Sequence, residues 1–221
     1  MQHGAPIELV IFDCDGVLVD SEPIANRVLA AALSEIGLVT TIESSMRDYM
    51  GRSWNACLEI FAQRLGRALP AAFEPDFWEL LDQALRAELQ AVPGIHDALA
   101  RIATPTCVAS SGRLDKMRVT LGQTGLWDRF EGRIFTAADV ARAKPFPDLF
   151  LHAAARMGAA PARCAVVEDS PRGVEAGVAA GMRVLGYAAR NDADTLAAAG
   201  AEVFDDMREL PERLYRDLRP R

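Results

Sequence analysis

Lysine is almost missing from this chain of 221 residues: Lys116 and Lys144 are the only two among 24 basic side chains. Acidic residues number 31, so the formal net charge is −7. A chain of that sign lacks the basic footprint of a nucleic-acid or anionic-membrane binder. Long apolar runs are missing too; none approaches the ~18 residues that span a bilayer. The stretch from Met1 to Pro6 has no basic region, and Leu9-Val10-Ile11-Phe12 is too short for a signal peptide, so the expected location is cytoplasmic. Cys14, Cys57, Cys107 and Cys164 form no C-x-x-C pair, and most lie in or beside apolar runs. They read as small buried hydrophobes in a reducing compartment. With only three histidines, none at ligand spacing from a cysteine, a zinc site is not expected. Half the residues are hydrophobic and a quarter charged, which is globular composition for one large domain or a core with a small insertion.

What is present alternates. Leu9-Val10-Ile11-Phe12 is a continuous apolar run of the kind buried on both faces of a parallel sheet. Comparable runs recur at Cys107–Ala109, Ala165–Val167 and Val184–Tyr187, with a weaker one at Glu202–Phe204. Between them, Ile95, Ala98, Leu99 and Ile102 keep helical spacing, as do Leu149, Phe150, Ala153 and Met157. Ser170-Pro171 reads as an N-cap followed by proline at the first helical position. Strands alternating with helices predict an α/β fold with a doubly wound, parallel, Rossmann-like sheet. From Ser21 to Gln90 the alternation stops, giving three helix-like stretches and no convincing strand. The expected organisation is a core of residues 1–20 and 91–221 with a small helical domain, 21–90, inserted after the first strand. Arg208 to Arg221 reads as a solvated terminal helix or tail.

In an open parallel sheet, ligands bind beyond the carboxyl ends of the strands. Here those ends carry Asp13 and Asp15, then Ser110-Ser111-Gly112, then Glu168-Asp169, while Lys144 stands just before a helix. Each piece alone has a plain explanation: an aspartate after a strand is often a turn residue, a loop lysine is usually solvated, and serines cap backbones. Together they would bring carboxylates, a hydroxyl and an ammonium group to one sheet edge.

Asp13-Cys14-Asp15-Gly16-Val17 resembles the first motif of the haloacid-dehalogenase-like superfamily, and Ser110, Lys144 and Glu168-Asp169 match its second, third and fourth. Asp20-Ser21-Glu22, Lys144-Pro145-Phe146-Pro147-Asp148 and Glu168-Asp169-Ser170-Pro171-Arg172-Gly173 are similar to the subgroup of β-phosphoglucomutase and small sugar-phosphate phosphatases. The resemblance covers nearly the whole chain and implies a phosphatase acting on a small phosphorylated metabolite, a sugar or sugar-acid phosphate. It implies Asp13 as nucleophile, Asp15 as general acid and base, and Ser110, Ser111 and Lys144 as phosphate binders. It implies Mg²⁺ held by the Asp13 carboxylate, the Asp15 carbonyl and Asp169, with Glu168 beside it or one shell out. The inserted helices then become a mobile cap, whose loop around Arg52 and Ser53 touches substrate. Arg52 is equally readable as a solvent-facing arginine before a helix capped by Ser53. No nucleic-acid or membrane partner is expected, and the chain is expected to act as a monomer or weak homo-oligomer.

Rivals fare less well. A 2-haloacid dehalogenase needs neither the metal carboxylates nor Asp15. Phosphonate cleavage uses a cap lysine, and 21–90 contains none. A receiver-like switch has no inserted cap and no use for a leaving-group acid. β-Phosphoglucomutases usually carry a histidine and a lysine where this chain has Ala25 and Met50. Lys116, in a charged helical stretch, is expected to be solvated and dispensable, and Asp13 to sit at a solvent-accessible strand end.

Overall fold

The six apolar or mixed runs long enough to pair form one parallel sheet in the computed structural model, which describes residues 6–50, 52 and 54–216. Its strands are β1 (Leu9–Phe12), β2 (Thr106–Ser110), β3 (Ile134–Thr136), β4 (Cys164–Glu168), β5 (Arg183–Tyr187) and β6 (Glu202–Phe204). Their order across the sheet is β3-β2-β1-β4-β5-β6, with every neighbouring pair parallel. The order reverses at β1, which pairs with β2 on one side (Phe12 opposite Val108) and β4 on the other (Phe12 opposite Val167). That reversal is the topological switch point of a doubly wound sheet, where crossovers diverge and leave a crevice at the carboxyl ends. β1 is buried along its whole length, which is why its sequence is continuously apolar rather than alternating.

The chain divides into two compact units, residues 1–19 with 90–221, and residues 20–89. The second is helical, with α1 (Glu22–Glu35), α2 (Ile42–Tyr49), α3 (Trp54–Leu65) and α4 (Phe73–Glu88). Its core includes Leu33, Phe61, Phe77 and Leu81, and Trp54 stacks on Phe77 with ring centroids 4.7 Å apart. The sequence pattern does not reveal α2, whose polar stretch Ile42-Glu43-Ser44-Ser45 carries no apolar stripe. A reciprocal cap starts it: Thr41 Oγ1 accepts from the Ser44 amide at 3.1 Å, and Ser44 Oγ from the Thr41 amide at 2.9 Å. Phe73, Phe77, Leu81 and Leu85 form the buried stripe of α4, while Leu80 faces outward.

In the first unit, α5 (Ile95–Arg101), α6 (Leu114–Gln123), α7 (Trp127–Phe130), α8 (Asp148–Met157), α9 (Pro171–Ala179), α10 (Ala193–Ala198) and α11 (Leu210–Leu214) accompany the sheet. Leu149, Phe150, Ala153 and Ala154 of α8 share a core cluster with Leu9 and Ile11 of β1 and Cys107 and Ala109 of β2. Fully burying side chains of this size stabilises by roughly 1.5–3 kcal/mol each. The terminal stretch is not merely a solvated tail: Met207, Leu210 and Leu214 are buried and anchor it. β3 is also invisible in the sequence pattern, because three residues are too few for a periodic signal. No helix of the described residues is long and apolar enough to cross a membrane.

Candidate active site

Beyond β1 the backbone turns back on itself, with the Gly16 amide donating to the Val19 carbonyl at 2.8 Å and the Leu18 amide to the Cys14 carbonyl at 2.9 Å. Gly16 has φ +79°, and a Cβ there would lie 2.1 Å from Asp169 Oδ2. Both conditions demand glycine, so Asp-Cys-Asp-Gly is tied to the Glu168-Asp169 segment of the adjacent strand. Cys14 points into the core, where burial first and the Asp15 and Asp13 charges next hold its thiol well above the usual range. It is chemically quiet.

Asp13 is not solvent-accessible as expected from sequence. It is 8% exposed, because β1 is the central strand and its end is covered by the β4 and Lys144 segments. Lys144 Nζ donates to Asp13 Oδ1 at 2.6 Å and to Glu168 Oε1 at 2.7 Å, and stands 4.8 Å from the centre of the Phe150 ring. The loop carrying it is fixed by Arg172, which donates to the Lys144 carbonyl at 2.8 Å. The other oxygen of Glu168 accepts from the Asp169 amide (2.9 Å), the Ser170 amide (2.8 Å) and Ser170 Oγ (2.9 Å). Ser170 also caps α9, accepting from the Gly173 amide at 3.1 Å. A Cβ on Gly173 would fall 1.7 Å from Glu168 Oε1, so the helix can start this close only with glycine there.

Two carboxylates therefore share one buried ammonium. Burial, reinforced by the charges of Glu168 and Asp15, pushes Asp13 up from 3.8 to about 7 even though Lys144 pulls it down. Burial alone would lower Lys144, but Asp13 and Glu168 override it and hold the ammonium above its ordinary value. The trio carries one net negative charge, and desolvation makes that excess costly.

Asp15 is paired with Lys116, whose Nζ donates to Asp15 Oδ1 at 2.9 Å and Oδ2 at 2.8 Å. This corrects the reading of Lys116 as merely solvated: the first turn of α6 starts four residues after β2, which carries its third residue back over the sheet edge. Having only two lysines in the chain was the signal available. Ser110 is buried and its Oγ accepts from the Gly112 amide at 3.2 Å. A Cβ on Gly112 would stand 3.6 Å from both Ser110 Oγ and Asp15 Oδ2, so the end of β2 and the turn after β1 are neighbours. Ser111 is exposed. Asp169 Oδ2 accepts from Asn191 Nδ2 at 3.2 Å; Asn191, in the loop after β5, was not singled out by sequence, although it too follows a strand's carboxyl end. In the helical unit, Arg52 is exposed and its Nε donates to the Asp48 carbonyl at 2.7 Å. Ser53 lies outside the described residues.

Among the described residues no three His, Cys, Asp or Glu side chains gather where they could hold one metal ion, and Glu168 is bound by Lys144 and Ser170. Asp13, itself bound to Lys144 through Oδ1, and Asp169 lie on segments that follow adjacent strands.

Residues 7–181 match the family model of haloacid dehalogenase-like hydrolases. The chain is 31% identical over 211 residues to a 6-phosphogluconate phosphatase of Escherichia coli, covering 93% of this chain and 94% of the relative. It is 30% identical over 176 residues to a phosphoglycolate phosphatase of Xanthomonas campestris, covering 78% and 79%. The fold superimposes on a haloacid dehalogenase-like protein of unknown function from Agrobacterium tumefaciens with a TM-score of 0.87 and 36% identity, over 96% of this chain and all of that one. With four motifs delivered by separate segments to one sheet edge, and a family match spanning most of its length, the chain belongs to the haloacid dehalogenase-like hydrolase family.

Proposed function

We propose that this enzyme hydrolyses the phosphate monoester of a small metabolite, a sugar or sugar-acid phosphate, through a covalent intermediate on Asp13. The observation that carries the reading is the Asp13 carboxylate held by Lys144 at 2.6 Å, with a second carboxylate, Asp15, two residues further on the same turn. Relatives named as phosphatases of phosphorylated sugar acids and glycolate support the substrate class.

In the first step an Asp13 oxygen forms a bond to phosphorus as the ester P–O bond breaks. Asp15 gives its proton to the departing alkoxide, which leaves as an alcohol. In the second, water attacks the same phosphorus, Asp15 takes its proton, and the Asp13 O–P bond breaks to release inorganic phosphate. Lys144 opposes the repulsion between Asp13 and the phosphoryl oxygens; Ser110 and the amides beside it donate hydrogen bonds to those oxygens.

The donor set fits Mg²⁺. It consists of hard oxygens only, and the buried Asp13 carboxylate, pushed up to about 7 first by burial and then by the neighbouring carboxylates, is the kind of group a divalent cation relieves. The Asp13 and Asp169 carboxylates and the Asp15 carbonyl would hold it, with Glu168 one shell out because its own oxygens already bind Lys144 and Ser170. Such an ion supplies charge neutralisation for an anion meeting an anion. In the helical unit, Arg52 and Ser53 are assigned to substrate selection, acting on KM rather than on chemistry. A panel of phosphorylated metabolites assayed for Mg²⁺-dependent phosphate release is the test. Turnover of sugar or sugar-acid phosphates that disappears with chelator is expected; no release from any member would refute the reading.

A further inference from the structure

Lys116 stands where helix physics disfavours it. It is the third residue of α6, in the first turn, where the helix dipole presents positive charge and favours acidic side chains. Its neighbour Asp115 satisfies that preference, accepting from the Lys116 amide at 2.9 Å and pairing with Arg113 at 2.6 Å. Lys116 instead sends its ammonium to both oxygens of Asp15, 101 residues earlier in the chain. The Lys116 and Asp15 side chains keep 34% and 23% of their surface exposed, and ion pairs this wet contribute little to stability. What the contact does is fix the direction of a carboxylate.

We propose that Lys116 is a positioning residue for Asp15. The inference rests on the acid–base role assigned to Asp15 above. A protonated carboxyl has one oxygen bearing hydrogen and one bare acceptor. Lys116 has only N–H donors, so it retains the bare oxygen and leaves the O–H to face the leaving group. After the ester bond breaks, both oxygens accept from Lys116 again, as they do here, until Asp15 takes the proton of the attacking water. No atom of Lys116 enters the reaction. Its ammonium decides which Asp15 oxygen carries the proton and where that oxygen points, and general acids are sensitive to such placement.

The test compares Lys116→Met and Lys116→Arg with the unsubstituted enzyme on two substrates: an alkyl phosphate such as glycerol phosphate, and nitrophenyl phosphate, whose leaving group needs no proton. For Lys116→Met, kcat on the alkyl ester should fall ~10-fold or more with KM within about twofold, because general acid catalysis is worth roughly 10²–10⁴ and only part is forfeited. Nitrophenol release in a single turnover should change less than about threefold, and Lys116→Arg should recover much of the alkyl-ester rate. Equal first-step losses on both substrates would overturn the proposal, as would an unchanged alkyl-ester rate. A second readout needs no turnover. Melting shifts of Asp15→Asn and Lys116→Met should fall short of their sum in the double variant by roughly 2 °C, the size that an ion pair this wet allows, and strictly additive shifts would overturn the pairing. An unsubstituted protein inactive on both esters would count against the phosphatase reading, while the melting comparison still judged Lys116.

Discussion

Replacing Asp13 with asparagine deletes one negative charge from a buried set that holds two carboxylates and one ammonium, and keeps the shape of the side chain. Because the Asp13 carboxyl is held at about 7 in the folded chain against 3.8 ordinarily, the folded state keeps a proton that the unfolded state gives up. Stability from this group is therefore greatest below about pH 4, declines as pH rises, and reaches its floor once pH has passed through about 7. At about 1.4 kcal/mol per pH unit, keeping Asp13 ionised in the metal-free protein costs up to about 4 kcal/mol at pH 8. The uncharged amide of the variant imitates the protonated form and escapes that cost. For a chain of this size, Asp13→Asn should melt on the order of 10 °C higher than the unsubstituted protein at pH 8. The measurement is a thermal melt with chelator present, at pH 8 and pH 5.5, with the gap shrinking to about half at the lower value. A variant no more stable at pH 8, or a gap that ignores pH, would refute the electrostatic account of the site. The same variant should have no phosphatase turnover, because an amide is a very poor nucleophile.

Lys144→Ala should lower phosphatase activity by at least ~10²-fold and also destabilise the fold, since it leaves Asp13 and Glu168 buried and facing one another; rates and melting curves read both. Asp15→Asn should cost far more on alkyl esters than in nitrophenol release from nitrophenyl phosphate, measured in single turnovers, and equal first-step losses would contradict its acid role. Asn191→Ala should weaken Mg²⁺ affinity, raising the metal concentration for half-maximal activity ~10-fold, because Asp169 loses a partner that orients it; a metal titration decides. Incubation with β-glucose 1-phosphate, Mg²⁺ and catalytic glucose 1,6-bisphosphate should yield at most glucose and phosphate, whereas efficient glucose 6-phosphate formation would move the assignment to a mutase.

The sheet could be read from sequence because its central strands are wet on neither face, which leaves continuous apolar runs at Leu9–Phe12 and Cys164–Val167. The residues at their ends were legible for the same reason, since polar groups that follow such runs stand out. Elements decided by other physics were not. α2 is held by reciprocal capping and a buried Ser45–Asn26 hydrogen bond of 2.8 Å rather than by an apolar stripe. Lys116 and Asn191 act across 101 and 22 residues of sequence, on partners that only the crossovers bring near. Burial of Asp13 was misjudged because a strand end is open in the abstract and closed here by segments from elsewhere in the chain.

Glu168 has one oxygen on the ammonium that also holds Asp13 and the other on the first amides and hydroxyl of a helix. The start of α9, the end of β4 and the lysine loop are thus keyed to a single carboxylate, and Gly173 leaves no slack for a bulkier residue. No one of these parts can be redesigned without disturbing the reacting centre. A lineage built on this scaffold that takes up a new substrate must innovate elsewhere, in loops and helices that do not touch this keystone. The same geometry gives a protein engineer a rule: keep the β4–α9 junction, and draw diversity from the surfaces it does not hold.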